Sequence, residues 1–109
     1  MKISFTFRHM ESTEALKTYA QAKLLKLQKF FHEAVAAEVT FSKERHLHAV
    51  DVHLEAGPMT YRGHEASSDM YASIDTVMDK LRAQLSSVKG EQRAQRRRST
   101  APEEPTSLN

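Results

Sequence analysis

Apolar residues recur along this chain with two periods that alternate in blocks. Ile3, Phe5 and Phe7 alternate with Lys2, Ser4, Thr6 and Arg8, a period of two that predicts a strand with one buried face. From Leu16 the spacing widens to three and four. Leu16, Tyr19, Ala20, Leu24, Leu27 and Phe31 mark a helical stripe, with Ser12 placed to cap its start. Beyond His32 the period returns to two: Val35, Ala37, Val39 and Phe41 face one way, and Ala36, Glu38, Thr40 and Ser42 the other. After a turn beginning at Lys43-Glu44-Arg45, His48, Val50, Val52 and Leu54 alternate with Ala49, Asp51, His53 and Glu55. Gly57-Pro58 breaks this strand, and Met59, Tyr61 and Gly63 alternate with Thr60, Arg62 and His64 in a last one ending near Ala66. Finally, Met70, Tyr71, Ile74, Val77, Met78, Leu81, Leu85 and Val88 fall within one arc at about 100° per residue, a second amphipathic helix. Ser68 is placed to cap it and Asp69 puts negative charge on its first turn.

The order is strand, helix, three strands, helix. Short connections make the last three strands an antiparallel meander, and the helix between the first two suits a right-handed crossover with parallel pairing. Each strand has one apolar face, so both helices should cover the same side of a four-stranded sheet. This is an α+β fold, a two-layer β-α-β-β-β-α sandwich whose other face (Ser4, Thr6, Thr40, Asp51, His53, Arg62, His64) is left to water. The periodicity fails after Gly90. The expected division is a domain over 1–90 and a tail over 91–109, basic and then Pro/Glu-containing, with the helix fraying at its start and disorder from about Ser99.

Charge changes the picture more than composition does. The net charge of +2 hides a strong asymmetry: from Lys80 to Arg98 there are seven Lys or Arg against a single acid, Glu91, while residues 1–79 hold nine basic and eleven acidic side chains. A concentrated basic segment on a balanced domain points to a polyanion, nucleic acid before membrane, and the bland alternative is a solvated helix end. No run reaches the length of a membrane span, and MKISFTFRHM alternates as a strand does instead of forming a signal-peptide core. A soluble cytoplasmic protein is expected.

Catalysis finds no agent. There is no cysteine, no serine in a nucleophile elbow and no glycine-rich phosphate loop. Among six histidines, His46, His48 and His53 lie close together with His64 on the next strand, but His48 and His53 are an odd number apart and point to opposite faces. No catalytic residue, cofactor or metal is therefore expected.

RNA binding is better motivated. Lys23, Lys26 and Lys29 step by three along one flank of the first helix, and the second supplies Lys80, Arg82, Lys89 and Arg93. Arg82 and Lys89 lie one above the other, while Lys80 lies on the other flank. Solubility is the bland reading of these lysines. Cations spaced on a rigid scaffold can follow phosphates, with little sequence preference and a steep salt dependence. Tyr71 could stack on a base, although its place on the apolar stripe favours packing.

Two stretches, TEALKTYAQAKLLKLQKFF and EASSDMYASIDTVMDKLRAQL, resemble the short hibernation-promoting factors of bacterial ribosomes. That family includes the ribosome-associated inhibitor called protein Y and was once labelled sigma-54 modulation protein. The Asp69-Met70-Tyr71 triplet, followed by Ala72, Ile74, Asp75 and Lys80-Leu81, is the most specific part, and the likeness covers residues 1 to about 90. The resemblance implies a domain like double-stranded-RNA-binding folds. It also implies binding to the small ribosomal subunit and its 16S-type RNA between head and body. There the factor would occlude messenger and the A- and P-site transfer RNAs, silencing translation in starvation or stationary phase. Lys23, Lys26, Lys80, Arg82 and Lys89 match basic positions attributed to ribosomal RNA contact, and Asp69 and Tyr71 suit capping and packing. Long members add a second, dimerising domain, which a chain of this length is not expected to hold, so any ribosome dimers would need a helper such as ribosome modulation factor. Away from the ribosome a monomer is expected. Two alternatives stay open on the residues alone: a general RNA-binding or RNA-chaperone module using the same charges, and a protein-interaction domain using the open sheet face.

Overall fold

The structure, a computed structural model, describes residues 1–97, with side chains described through Ser87. In chain order it comprises β1 (Lys2–Arg8), α1 (Glu14–Leu27), a short 3-10 turn (Gln28–Phe30), β2 (Val35–Glu44), β3 (Leu47–Ala56), β4 (Met59–Ser67) and α2 (Met70–Arg97). The four strands form one sheet in the order β1-β2-β3-β4. β1 pairs parallel to β2, and the rest is an antiparallel meander. The period-two blocks thus become strands and the wider-spaced blocks become helices, as their burial demands.

Register decides which side chains share a face. Ser4, Glu38, His53 and Arg62 form one row across the open face, and Thr6, Thr40, Asp51 and His64 the next. The opposite face carries the core, where Phe41 stacks on Phe7 with centroids 4.9 Å apart and Val39, Val50, Val52 and Leu54 are buried. Leu16, Ala20, Leu24 and Leu27 of α1 and Ile74, Val77, Leu81 and Leu85 of α2 close over it. Both helices therefore lie on one side, the two-layer sandwich expected.

Three local features fix how α2 sits. The hairpin between β3 and β4 turns at Gly57, whose φ of +60° is readily adopted only without a side chain. On β4, a Cβ added to Gly63 would lie 2.8 Å from Val77 Cγ2 and 3.3 Å from Leu81 Cγ, so the helix rests directly on that strand. At its first turn the buried Ser73 hydroxyl donates to the His48 carbonyl at 2.7 Å and sits 2.7 Å from the Ser67 hydroxyl, tying helix to sheet. A buried hydroxyl left without partners would cost more than it contributes.

Three expectations are corrected here. The α1 cap is Thr13, whose Oγ1 accepts from Leu16 N–H at 3.0 Å, one residue after Ser12. The α2 cap is Asp69 in place of Ser68: its carbonyl accepts from Ser73 N–H and its carboxylate from Tyr71 N–H. A capping oxygen must reach back to a backbone N–H two or three residues ahead, and only these two residues stand at that distance from the first turn. Nor does α2 fray at Gly90; its backbone runs through that glycine to Arg97. One helical glycine costs only about 1 kcal/mol relative to alanine, and Glu91, Gln92, Arg93, Ala94 and Gln95 are good helix formers. Loss of the apolar stripe marks the end of the packed surface, with Leu85 the last buried residue described, rather than the end of the helix. The tail expected to be disordered from about Ser99 lies outside the described residues.

Candidate nucleic-acid interface

α1 and α2 lie side by side and parallel, because their contacts advance in the same direction. Tyr19 meets Tyr71 and Asp75, Lys23 reaches Asp75, and Lys26, Leu27 and Lys29 share a groove with Met78, Asp79 and Arg82. A crossover from β1 to a parallel β2, and an antiparallel meander before α2, start both helices at the same end of the sheet.

The upper part of the seam is a clasp. The Tyr19 hydroxyl donates to Asp75 Oδ1 at 2.6 Å, and Lys23 Nζ stands 3.3 Å from the same oxygen. Tyr71 meets the Tyr19 ring edge-on at 5.0 Å between centroids, and the Lys23 ammonium lies 5.4 Å from the Tyr19 centroid. The hydrogen bond from Tyr19, with a further contribution from Lys23, holds the Asp75 carboxyl below its ordinary value. The same carboxylate raises the Tyr19 phenol and the Lys23 amine. Tyr71, 40 % exposed, packs on Tyr19, in keeping with the packing role its stripe position favours.

Below the clasp the seam opens into a groove of about 500 Å³ lined by Lys23, Leu25, Lys26, Leu27, Lys29, Met78, Asp79 and Arg82. Leu27 and Met78 are buried and close its floor, and Lys26, Lys29 and Arg82 are exposed at its rim. Among the described residues these three cations enter no ion pair. Four of the seven expected contact residues, Lys23, Lys26, Lys29 and Arg82, are thus brought together. Lys80 is not: it leaves the groove on the far flank of α2 and pairs with Glu65 of β4. Lys89 and Arg93 continue on the α2 backbone, and their side chains lie outside those described.

Asp75, Asp79 and Tyr19 were not singled out by the charge pattern. Asp75 and Asp79 fall four apart on α2, the spacing of neighbours on one helical face, but the rotation that turns this face to α1 is set by tertiary packing. On the open face of the sheet, His64 Nδ1 lies 2.7 Å from Asp51 Oδ1. His53 Nε2, closed off from solvent, has no hydrogen-bond partner among the described residues and stands 3.6 Å from Glu55 Oε2. Among the described residues no group of three or more His, Cys, Asp or Glu could hold a metal ion, and no helix is long and apolar enough to cross a membrane.

Comparison with known proteins adds an independent line. The family described as Sigma 54 modulation protein / S30EA ribosomal protein matches residues 3–93. The ribosome hibernation promoting factor of Escherichia coli K12 is 33 % identical over 85 residues, covering 78 % of this chain and 90 % of that protein. The ribosome hibernation promotion factor of Lactococcus lactis is 35 % identical over 88 residues, again 78 % of this chain but 48 % of its own length. Among solved structures, the N-terminal domain of Thermus thermophilus protein Y superposes with a TM-score of 0.74 at 25 % identity, covering 81 % of this chain and 99 % of that one. A ribosomal subunit interface protein from Coxiella burnetii shares the fold, with a TM-score of 0.71 at 24 % identity over 83 % of this chain and 99 % of its own.

Proposed function

The chain belongs to the Sigma 54 modulation protein / S30EA ribosomal protein family, and from that premise we propose that it is a ribosome hibernation factor acting on the small subunit. Its relatives are named for ribosome hibernation and for the ribosomal subunit interface. In this reading the protein seats the seam between α1 and α2 on 16S-type RNA near the decoding region. Messenger and the A- and P-site transfer RNAs are then excluded, and translation stops under starvation or in stationary phase. Ribosome dimers, where they form, draw on a helper such as ribosome modulation factor.

The observation that carries the reading is the rim of the interhelical groove. Lys26 of α1, Lys29 of the 3-10 turn that follows it and Arg82 of α2 present charge at fixed spacing on elements packed over one sheet, and Lys23 is held beside them by Asp75. Rigid spacing matters because ribosomal RNA offers its backbone more readily than its base edges, and each phosphate neutralised releases condensed counterions. Lys80, turned to Glu65, is a peripheral contact at most, and Lys89 and Arg93 follow farther along the α2 backbone.

An in vitro translation assay with purified protein at two salt concentrations tests the proposal, paired with sedimentation on isolated small subunits. Inhibition that weakens steeply at the higher salt, with co-sedimentation, is expected. A protein that stays at the top of the gradient and leaves translation untouched overturns it. Tighter binding to free duplex RNA than to small subunits would instead favour a general RNA-binding module.

A further inference from the structure

Resting on the reading of the interhelical groove as an RNA site, one residue in it has no part in phosphate binding. Asp79 lines the groove among Lys23, Lys26, Lys29 and Arg82. Asp75, one turn earlier, is engaged by Tyr19 and Lys23, whereas Asp79 is exposed and, among the described residues, enters no ion pair. A phosphodiester carries only acceptors, so a free carboxylate beside it contributes like-charge repulsion and no hydrogen bond. RNA has donors elsewhere: the 2′-hydroxyl of every sugar and the exocyclic amino groups of adenine, cytosine and guanine.

The shape of the site selects the same ligand. The groove, about 500 Å³, is a surface furrow along the line where the two helices pack, so a duplex can rest only across its rim, while a single base or sugar is small enough to enter it. The buried floor of Leu27 and Met78 and the wall of Leu25, 46 % exposed, offer apolar surface to a base. Cations stand on both sides to take the phosphates before and after it. We propose that the groove takes an unpaired ribonucleotide, Asp79 accepting a hydrogen bond from its 2′-hydroxyl or base amino group while Lys26, Lys29 and Arg82 hold the flanking phosphates. Asp79 then makes a basic groove selective, since a polyanion without such donors meets its charge and gains nothing from it.

The test measures binding of the full chain, Asp79→Ala and Asp79→Asn to three fluorescent single strands at low salt. These are a mixed-sequence RNA, its 2′-deoxy counterpart, and oligouridylate, which lacks exocyclic amino groups. The parent protein should prefer the mixed RNA over at least one of the others by about five-fold, the factor one hydrogen bond supplies. Discrimination against the deoxy strand assigns the 2′-hydroxyl, and discrimination against oligouridylate assigns the amino group. Asp79→Ala should bind the disfavoured strand more tightly and lose the preference. Asp79→Asn, which keeps an acceptor oxygen without the charge, should tighten all strands and retain it. Equal tightening of all three strands by Asp79→Ala would make Asp79 a repulsive screen and overturn the inference. So would equal affinities of the parent protein, or failure to bind any single strand while small subunits are still bound. Lys26→Glu/Arg82→Glu, run in parallel, separates the two claims: if it leaves both oligomer and subunit binding intact, the RNA reading of the groove itself fails.

Discussion

Across the open face of the sheet, Asp51 pairs with His64, His53 lies beside Glu55, and Glu38 and Arg62 share a row. Between the helices, four cations meet one carboxylate already engaged and one that, among the described residues, enters no ion pair. Both faces are polar and both are rich in ionisable groups. The sheet face interleaves its signs at the spacing of neighbouring strands, so its field cancels within a few ångströms. The helix side sums its cations along one seam, where a polyanion can meet them together. Arrangement, more than content, marks the proposed interface.

Breaking the scaffold behind the seam should have the largest effect. Leu81→Ala removes a fully buried side chain and should destabilise by about 2–5 kcal/mol in chemical denaturation. The contrast between the two faces is tested more directly by matched charge reversals. Lys26→Glu/Arg82→Glu should weaken small-subunit binding about 100-fold or more in co-sedimentation, as charge-assisted contacts contribute about 1.5–3 kcal/mol each. Lys2→Glu/Arg62→Glu makes the same change in net charge on the sheet face and should stay within about three-fold. Equal losses from both pairs would erase the distinction.

A smaller effect is expected from Gly63→Ala, whose Cβ would press on Val77 and Leu81. Overpacking of this kind costs about 1–3 kcal/mol, and the displaced α2 should lower subunit affinity while leaving the Asp51–His64 contact in place. The smallest effect is on pH dependence. Because the clasp lowers the Asp75 carboxyl below its ordinary 3.8, its stabilisation is present above that value and lost as pH falls through the depressed one. Acid titration of stability should therefore be shallower in Asp75→Asn below about pH 4 than in the parent protein.

Period-two and period-three/four blocks were enough to read every strand, both helices and the shared helical face, because burial on one side imposes those periods directly. The caps were displaced by one residue, since Ser12-Thr13 and Ser68-Asp69 each offer two competent side chains and only the geometry of the first turn chooses between them. The continuation of α2 past Gly90 was hidden because an apolar stripe reports packing, while a solvated helix needs only propensity. For the site, Lys23 and Lys26 of α1 and Arg82 of α2 were legible as spacing along single helices, whereas Lys29 falls in the 3-10 turn after α1 ends at Leu27. The clasp of Tyr19, Lys23 and Asp75 was not legible, because it joins residues 56 positions apart through the relative rotation of two helices. The diversion of Lys80 to Glu65 depends likewise on where β4 lies beneath α2.

Parallel alignment of α1 and α2 has one more consequence. Their capped, acid-bearing starts (Glu14, Asp69) share one end of the molecule, and Lys26, Lys29 and Arg82 lie toward the other. The backbone dipoles of the two helices run the opposite way but amount to about half a charge at each terminus, too little to cancel several full ones. Along the seam, therefore, charge is graded from one end to the other: a large polyanion draws the end bearing Lys26, Lys29 and Arg82 forward before any surface touches, shortening the orientational search that limits most encounters.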